Sequence, residues 1–254
     1  MVNNYFVLIS RHELYYIGMN TTRQLADIER SARQGDYGAW RKEFCRKYRE
    51  VMTRICRTAV EEQRAYIVSV GATASCHKGC VYCCSHYVSV SLAHGLVITD
   101  YLYTHPELQG SFLRRYDKWR RATEENVALQ ELEQYTTFSP TVRRTPQALL
   151  DDYAKLNVPC PFLTEKACSI YPVRPICCAS YTAISPPDYC QPDCANLAVI
   201  CEAVPSVEGL RELAMLGERA LTMHQESLPS LVYRLLTEGL PEVMRKLDIM
   251  SHGL

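Results

Sequence analysis

Four cysteines crowd into the nine residues "CHKGCVYCC", positions 76–84. A thiolate is a soft donor that selects zinc, copper(I) and iron–sulfur clusters. Cys76, Cys80 and Cys83 are spaced i, i+4, i+7, which puts them on one face of a helix or of successive tight turns, with Cys84 one step round. Three converging thiolates repel one another and are costly to bury without a cation, and a metal removes that cost. A second group follows. Cys160 and Cys168 flank "PFLTEKA", a stretch that can turn back on itself and bring them together. Cys177 and Cys178 are neighbours and cannot easily present the same geometry to one ion. Cys190 and Cys194 are four apart, and Cys201 follows. Four sulfurs complete a tetrahedral zinc site or hold one [4Fe–4S] cluster.

The chain as a whole is unremarkable apart from its sulfur. It has 254 residues, 47% hydrophobic and 22% charged, with zero formal net charge. That length buries an ample core, and zero net charge gives no overall attraction to nucleic acid or anionic lipid. No run approaches the roughly 18 to 20 apolar residues of a membrane span, and "MVNNYFVLIS" lacks the basic start of a secretory signal. The expectation is a cytoplasmic protein that engages neither nucleic acid nor membrane. There are 13 cysteines, an odd number that disulfides cannot use completely. In a reducing compartment, clustered cysteines read as metal ligands or redox groups.

The elements that must position these thiols read as helices, and the expected fold class is mostly α, a helical domain with an irregular Cys/Pro-rich metal-binding segment. The reading is one domain over 1–254, with 74–194 as the metal-binding region and flanking helices in 22–67 and 207–249. Residues 21–35 carry a Thr start and a Gly stop. From Tyr37 to Ile67, Trp40, Phe44, Tyr48, Met52, Ile55 and Ala59 recur at helical spacing. Cys45 and Cys56 lie near that stripe and read as core cysteines. "SLAHGLVITDYLYTHP" predicts a Ser-capped helix stopped by Pro106, and "PELQ" to "LEQY" one long helix begun at Pro106. Its "RRYDKWRR" block reads as a solvated face. Phe138–Thr145 predicts a loop between two halves, and "PQALLDDYAKL" another helix whose Asp151 and Asp152 face solvent. Residues 158–194, dense in Pro and Cys, predict short turns with a small hairpin across "TEKA". Helical periodicity returns at Val207, with Leu210, Leu213, Gly217, Ala220 and Leu221 on one side. Two short helices follow in "PSLVYRLLTEGL" and "PEVMRKLDIM". His224 reads as a core histidine.

"GCVYCC", "CPFL…ACSIYPVRPICCASY" and "SPPDYC" together resemble the CxxCxxCC family, described as zinc- or iron-chelating cysteine-cluster proteins. The resemblance covers residues 74 to 194. It implies that Cys76, Cys80, Cys83, Cys84, Cys160, Cys168, Cys178 and one of Cys190 or Cys194 are ligands, and that Cys177 is extra. Two positions depart from the pattern: Ala179 stands where an Arg is usual, and His94 where a Glu is usual. A similar cluster occurs in flagellin lysine N-methylases, which makes S-adenosylmethionine-dependent lysine methylation an alternative activity. No glycine-rich strand–turn–helix for that cofactor is present.

A close run of three or four cysteines plus a remote one is nearer to iron–sulfur ligation than to paired zinc knuckles. An iron–sulfur cluster, [4Fe–4S], is therefore the first expectation and Zn2+ the second. A cluster would act on a small molecule or a protein side chain. A zinc ion would staple the irregular segment and leave the helices to bind a partner. Arg174 either hydrogen-bonds cluster sulfurs or satisfies carbonyls of the irregular segment. His77 and His86 read as surface neighbours, and Tyr171 and Tyr181 as covers over the metal region.

Overall fold

The structure, a computed structural model, describes residues 37–77, 79–136, 146–165, 167–216, 221 and 225–252. The predictions for 21–35, for Phe138–Thr145, for Gly217 and Ala220 and for His224 fall outside these residues.

The molecule is mostly α, as its periodicity predicts. Helix α1, Tyr37–Ser69, buries Phe44, Tyr48, Met52, Ile55, Ala59 and then Gln63 and Ile67 along one stripe. It stops at Gly71, whose φ of 70° only glycine adopts freely. There the Ala72 amide reaches back to the Ile67 carbonyl and the Gly71 amide to Val68, which satisfies the last free carbonyls. Helix α2, Leu92–Tyr103, is capped by Ser91, whose Oγ accepts the His94 amide at 3.2 Å. It is buried almost all round, and so forms the central rod of the fold.

The expected long helix from Pro106 is instead two, α3 (Pro106–Thr123) and α4 (Val127–Thr136). Asn126 makes the break, because its Oδ1 accepts the Leu129 amide at 2.9 Å and starts a new helix. Helix α5 (Pro146–Ala154) packs on α4. A five-residue helix, α6 (Ile176–Ser180), and α7 (Val207–Leu216) both pack on α1. Leu213 is buried as predicted, but Leu210 is exposed. Gly209 meets α1 instead, where any Cβ would stand 3.0 Å from Ile55. Helix α8 (Leu228–Thr237) lies against α2, close enough that a Cβ on Gly95 would come within 2.8 Å of Leu231. Helix α9 (Leu240–His252) follows the turn at Gly239.

Two three-residue ribbons tie distant segments together. Strand β1 (Ser89–Ser91) pairs antiparallel with β4 (Gln225–Ser227), and β2 (Tyr181–Ala183) with β3 (Ile200–Glu202). The hydrophobic core joins α1, α2, α3 and α8 with Phe162, Ile170 and Val173 from the cysteine-rich segment. No described helix is long and apolar enough to cross a membrane.

Candidate metal centre

The first cysteine run sits on extended chain and one turn of 3-10 helix, Tyr82–Ser85, and not on an α-helix. Ser75 fastens its start to β2: its amide and hydroxyl both donate to the Ala183 carbonyl at 2.9 Å, and its hydroxyl is also within 2.5 Å of the Ser185 carbonyl. The Ala183 amide in turn donates to Cys76 Sγ at 3.2 Å. Cys80 closes a turn onto the His77 carbonyl at 3.0 Å. Gly79 within that turn has a φ of 94°.

The predicted hairpin across "TEKA" forms. Leu163 bridges Cys168, and the Thr164 amide donates to the Ala167 carbonyl at 2.9 Å. Phe162 anchors it by stacking on Phe112 of α3, ring centroids 4.3 Å apart. Arg115, from the block expected to face solvent, instead donates to the Leu163 carbonyl at 2.5 Å. The Cys160 amide donates to the Cys84 carbonyl at 2.8 Å, and this bond fastens the hairpin to the first run. Cys177 and Cys178 stand on α6, and Cys190 ends a 3-10 turn, Pro187–Cys190, that packs on Tyr82–Ser85.

The electrostatics show which thiols face which. Burial raises Cys190 to about 11, with the charges of Cys83, Cys76 and Cys80 adding to it. Burial also raises Cys80, helped by Cys76 and Cys83. The Cys83 and Cys84 thiols interact, and the interaction shifts them in opposite directions. Cys83 accepts from the Cys84 thiol and falls to about 7, while Cys84 is pushed far up, with Cys160 and Cys168 adding to the shift. Burial lifts Cys160 to about 12 and raises Cys168. Cys178 is raised by its bond to Cys177, by burial, and by Cys160 and Cys168. Bonding to Cys178 lowers Cys177, which is exposed. Cys194 is half-buried on a turn, its amide on the Gln191 carbonyl at 3.1 Å. Cys45 lies in the core as expected, 3.6 Å from the Leu96 carbonyl.

Arg174 reaches both runs, since its positive charge favours the thiolates of Cys83 and Cys168. Its guanidinium lies 4.1 Å above the ring of Tyr171, which is half exposed and so covers the arginine more than the thiols. Tyr181 does stand among the cysteines: burial and the charges of Cys190, Cys83 and Cys76 raise it to about 12. His77 is exposed, as expected. His86 is half-buried; its ring meets that of Tyr181 edge-on at 5.9 Å, and burial lowers its pKa.

Three positioning residues carry no cysteine-like signal. Gln63, buried on α1, donates to the carbonyls of Ser180 and Cys201 at 2.6 Å each and so pins the β2–β3 ribbon. His94, at the position noted as unusual, bonds the Val173 carbonyl at 3.1 Å and fixes the turn that carries Arg174. Ser85 is buried beside Cys84, and its hydroxyl has no hydrogen-bond partner among the described residues.

The donor set fits a thiophilic cation: all the gathered groups are sulfur, and an unpartnered buried hydroxyl lies next to them. Among the described residues, no three His, Cys, Asp or Glu side chains are drawn in tightly enough to close on one ion.

A model of the CxxCxxCC family, described as "Putative zinc- or iron-chelating domain", matches residues 75–202. No curated protein and no solved structure matches. The matched half of the chain contains the first run, the hairpin, α6 and Cys190, the parts that the backbone hydrogen bonds draw together. The chain belongs to the CxxCxxCC family.

Proposed function

We propose that the protein uses its clustered thiolates to carry an iron–sulfur cluster, most readily [4Fe–4S], and that the cluster serves a redox or cluster-dependent reaction on a small molecule or a protein side chain. One observation carries the reading. The chain folds back so that Cys160 lies on Cys84 and Cys190 on the Tyr82–Ser85 turn, which gathers soft donors from distant positions without any competing carboxylate cage. The pattern of a close run joined by remote cysteines is that of cluster ligation.

A bound cluster would supply one-electron chemistry. The chain's own residues have the task of tuning and shielding it. Arg174 brings fixed positive charge to Cys83 and Cys168, which favours the reduced, more negative state of a cluster held there and raises its potential. Tyr181 and His86 stand over the first run and limit water access. Zinc is the second reading, supported by the Cys80–Val81–Tyr82–Cys83 spacing typical of a zinc knuckle.

Purification without oxygen, followed by metal and sulfide analysis, separates the two. A brown protein with iron and acid-labile sulfide in equal amounts supports the cluster. A colourless protein with stoichiometric zinc supports the staple.

A further inference from the structure

We propose that the cysteines form two adjacent four-thiolate centres that divide the consecutive pair Cys83 and Cys84 between them. The first would be Cys76, Cys80, Cys83 and Cys190; the second Cys84, Cys160, Cys168 and Cys178. The inference rests on the metal-binding reading above and deepens it.

The backbone divides the thiols in this way. Cys76 is held on β2 by the Ala183 amide, and Cys80 by the turn onto His77. The 3-10 turn carrying Cys83 packs on the one that ends at Cys190. The Cys84 carbonyl accepts the Cys160 amide at 2.8 Å. The hairpin then sets Cys160 beside Cys168: Leu163, which bridges Cys168, donates its own amide to the Cys160 carbonyl at 2.9 Å. Helix α6 follows from the turn Tyr171–Val173, whose first amide bonds the Cys168 carbonyl, and it presents Cys178.

Cys83 and Cys84 are consecutive on a 3-10 turn, where side chains step by about 120°. Their Cα–Cβ bonds therefore diverge, and the pair serves two centres more easily than one. The division also leaves Cys194 and Cys201 out, and Cys177 out as the second member of its adjacent pair.

Metal stoichiometry tests the division. Full-length protein purified without oxygen is analysed for iron, sulfide and zinc, and metal-free protein is titrated with Co2+ while its thiolate charge-transfer absorbance is followed. The expected result is two centres per chain and a Co2+ end point at two equivalents. Cys190→Ser and Cys160→Ser should each retain half of the metal with the helical circular dichroism intact. Saturation of the wild-type chain at a single centre overturns the division and leaves the metal-binding reading standing, as does a folded single variant that loses all metal or none. Should either variant fail to fold, the wild-type end point decides alone. A wild-type chain that takes up neither iron, zinc nor Co2+ overturns both readings.

Discussion

The helical core and the cysteine-rich segment are held by different means. Around α2 and α8, Leu92, Leu96, Ile98, Leu102, Leu231 and Leu235 are almost wholly buried, and burial at about 25 cal/mol per Å2 of apolar surface is enough to fix them. Of their described residues, the cysteine-rich stretches 76–86 and 158–203 drive only Phe162, Ile170, Val173 and a few small residues into the interior. Tyr171, Leu197 and Val199 are exposed. What orders this segment is a set of directed bonds, from Arg115 to Leu163, Gln63 to Ser180 and Cys201, His94 to Val173, and Cys160 to Cys84. Packing suffices for one region. The other has sockets for its chain but little apolar weight of its own, and a structural metal supplies such a segment with folding energy.

Breaking the thiolate set should separate the two regions most sharply. Cys80→Ser or Cys83→Ser is expected to lose part of the metal and to open 76–84 to limited proteolysis, while the α2–α8 core survives. Mass mapping of the fragments checks it, and unchanged metal in either variant means that cysteine is no ligand. Leu231→Ala attacks the opposite region. It removes a fully buried side chain at the α2–α8 contact and should cost about 2–5 kcal/mol in denaturant unfolding, with metal content per folded chain unchanged.

Gln63→Leu addresses the joint between the regions. It removes the side-chain donor from two carbonyls, of which that of Ser180 keeps the Ala203 amide, and should cost about 0.5–1.5 kcal/mol. Hydrogen exchange should quicken at β2–β3 before it does in α2.

His94→Gln has the smallest effect at neutral pH. Burial holds His94 near 4, below its ordinary 6.5, so the folded chain resists a proton that the unfolded chain accepts. Its contribution is complete above about pH 6.5 and is lost as pH falls toward 4. The wild type should therefore lose more stability than His94→Gln between pH 7 and 5. Equal losses, measured by urea midpoints, would place the acid sensitivity elsewhere.

Much of this was legible in the residues. The stripe from Phe44 to Ala59, the Ser91 cap, the Pro106 start and the "TEKA" turn are local signals and appear where their chemistry predicts. The break at Asn126 was hidden because every residue around it tolerates a helix, and only the Oδ1 bond to Leu129 decides. The β1–β4 and β2–β3 ribbons were not legible, since three residues show no periodicity and their partners lie far along the chain. The packing of the Pro187–Cys190 turn on Tyr82–Ser85 was not legible either, since it sets one 3-10 turn against another far along the chain. Gln63 and Arg115 looked like ordinary helix polar residues until the carbonyls they serve came into view.

The most direct test of the account is to count metal and free thiols together on anaerobically purified, folded protein. The account predicts bound iron with acid-labile sulfide, and far fewer than 13 thiols reacting with a chromogenic disulfide until a chelator is added. A folded, metal-free protein whose segment thiols all react at once, and which takes up neither iron nor zinc on reconstitution, would contradict it.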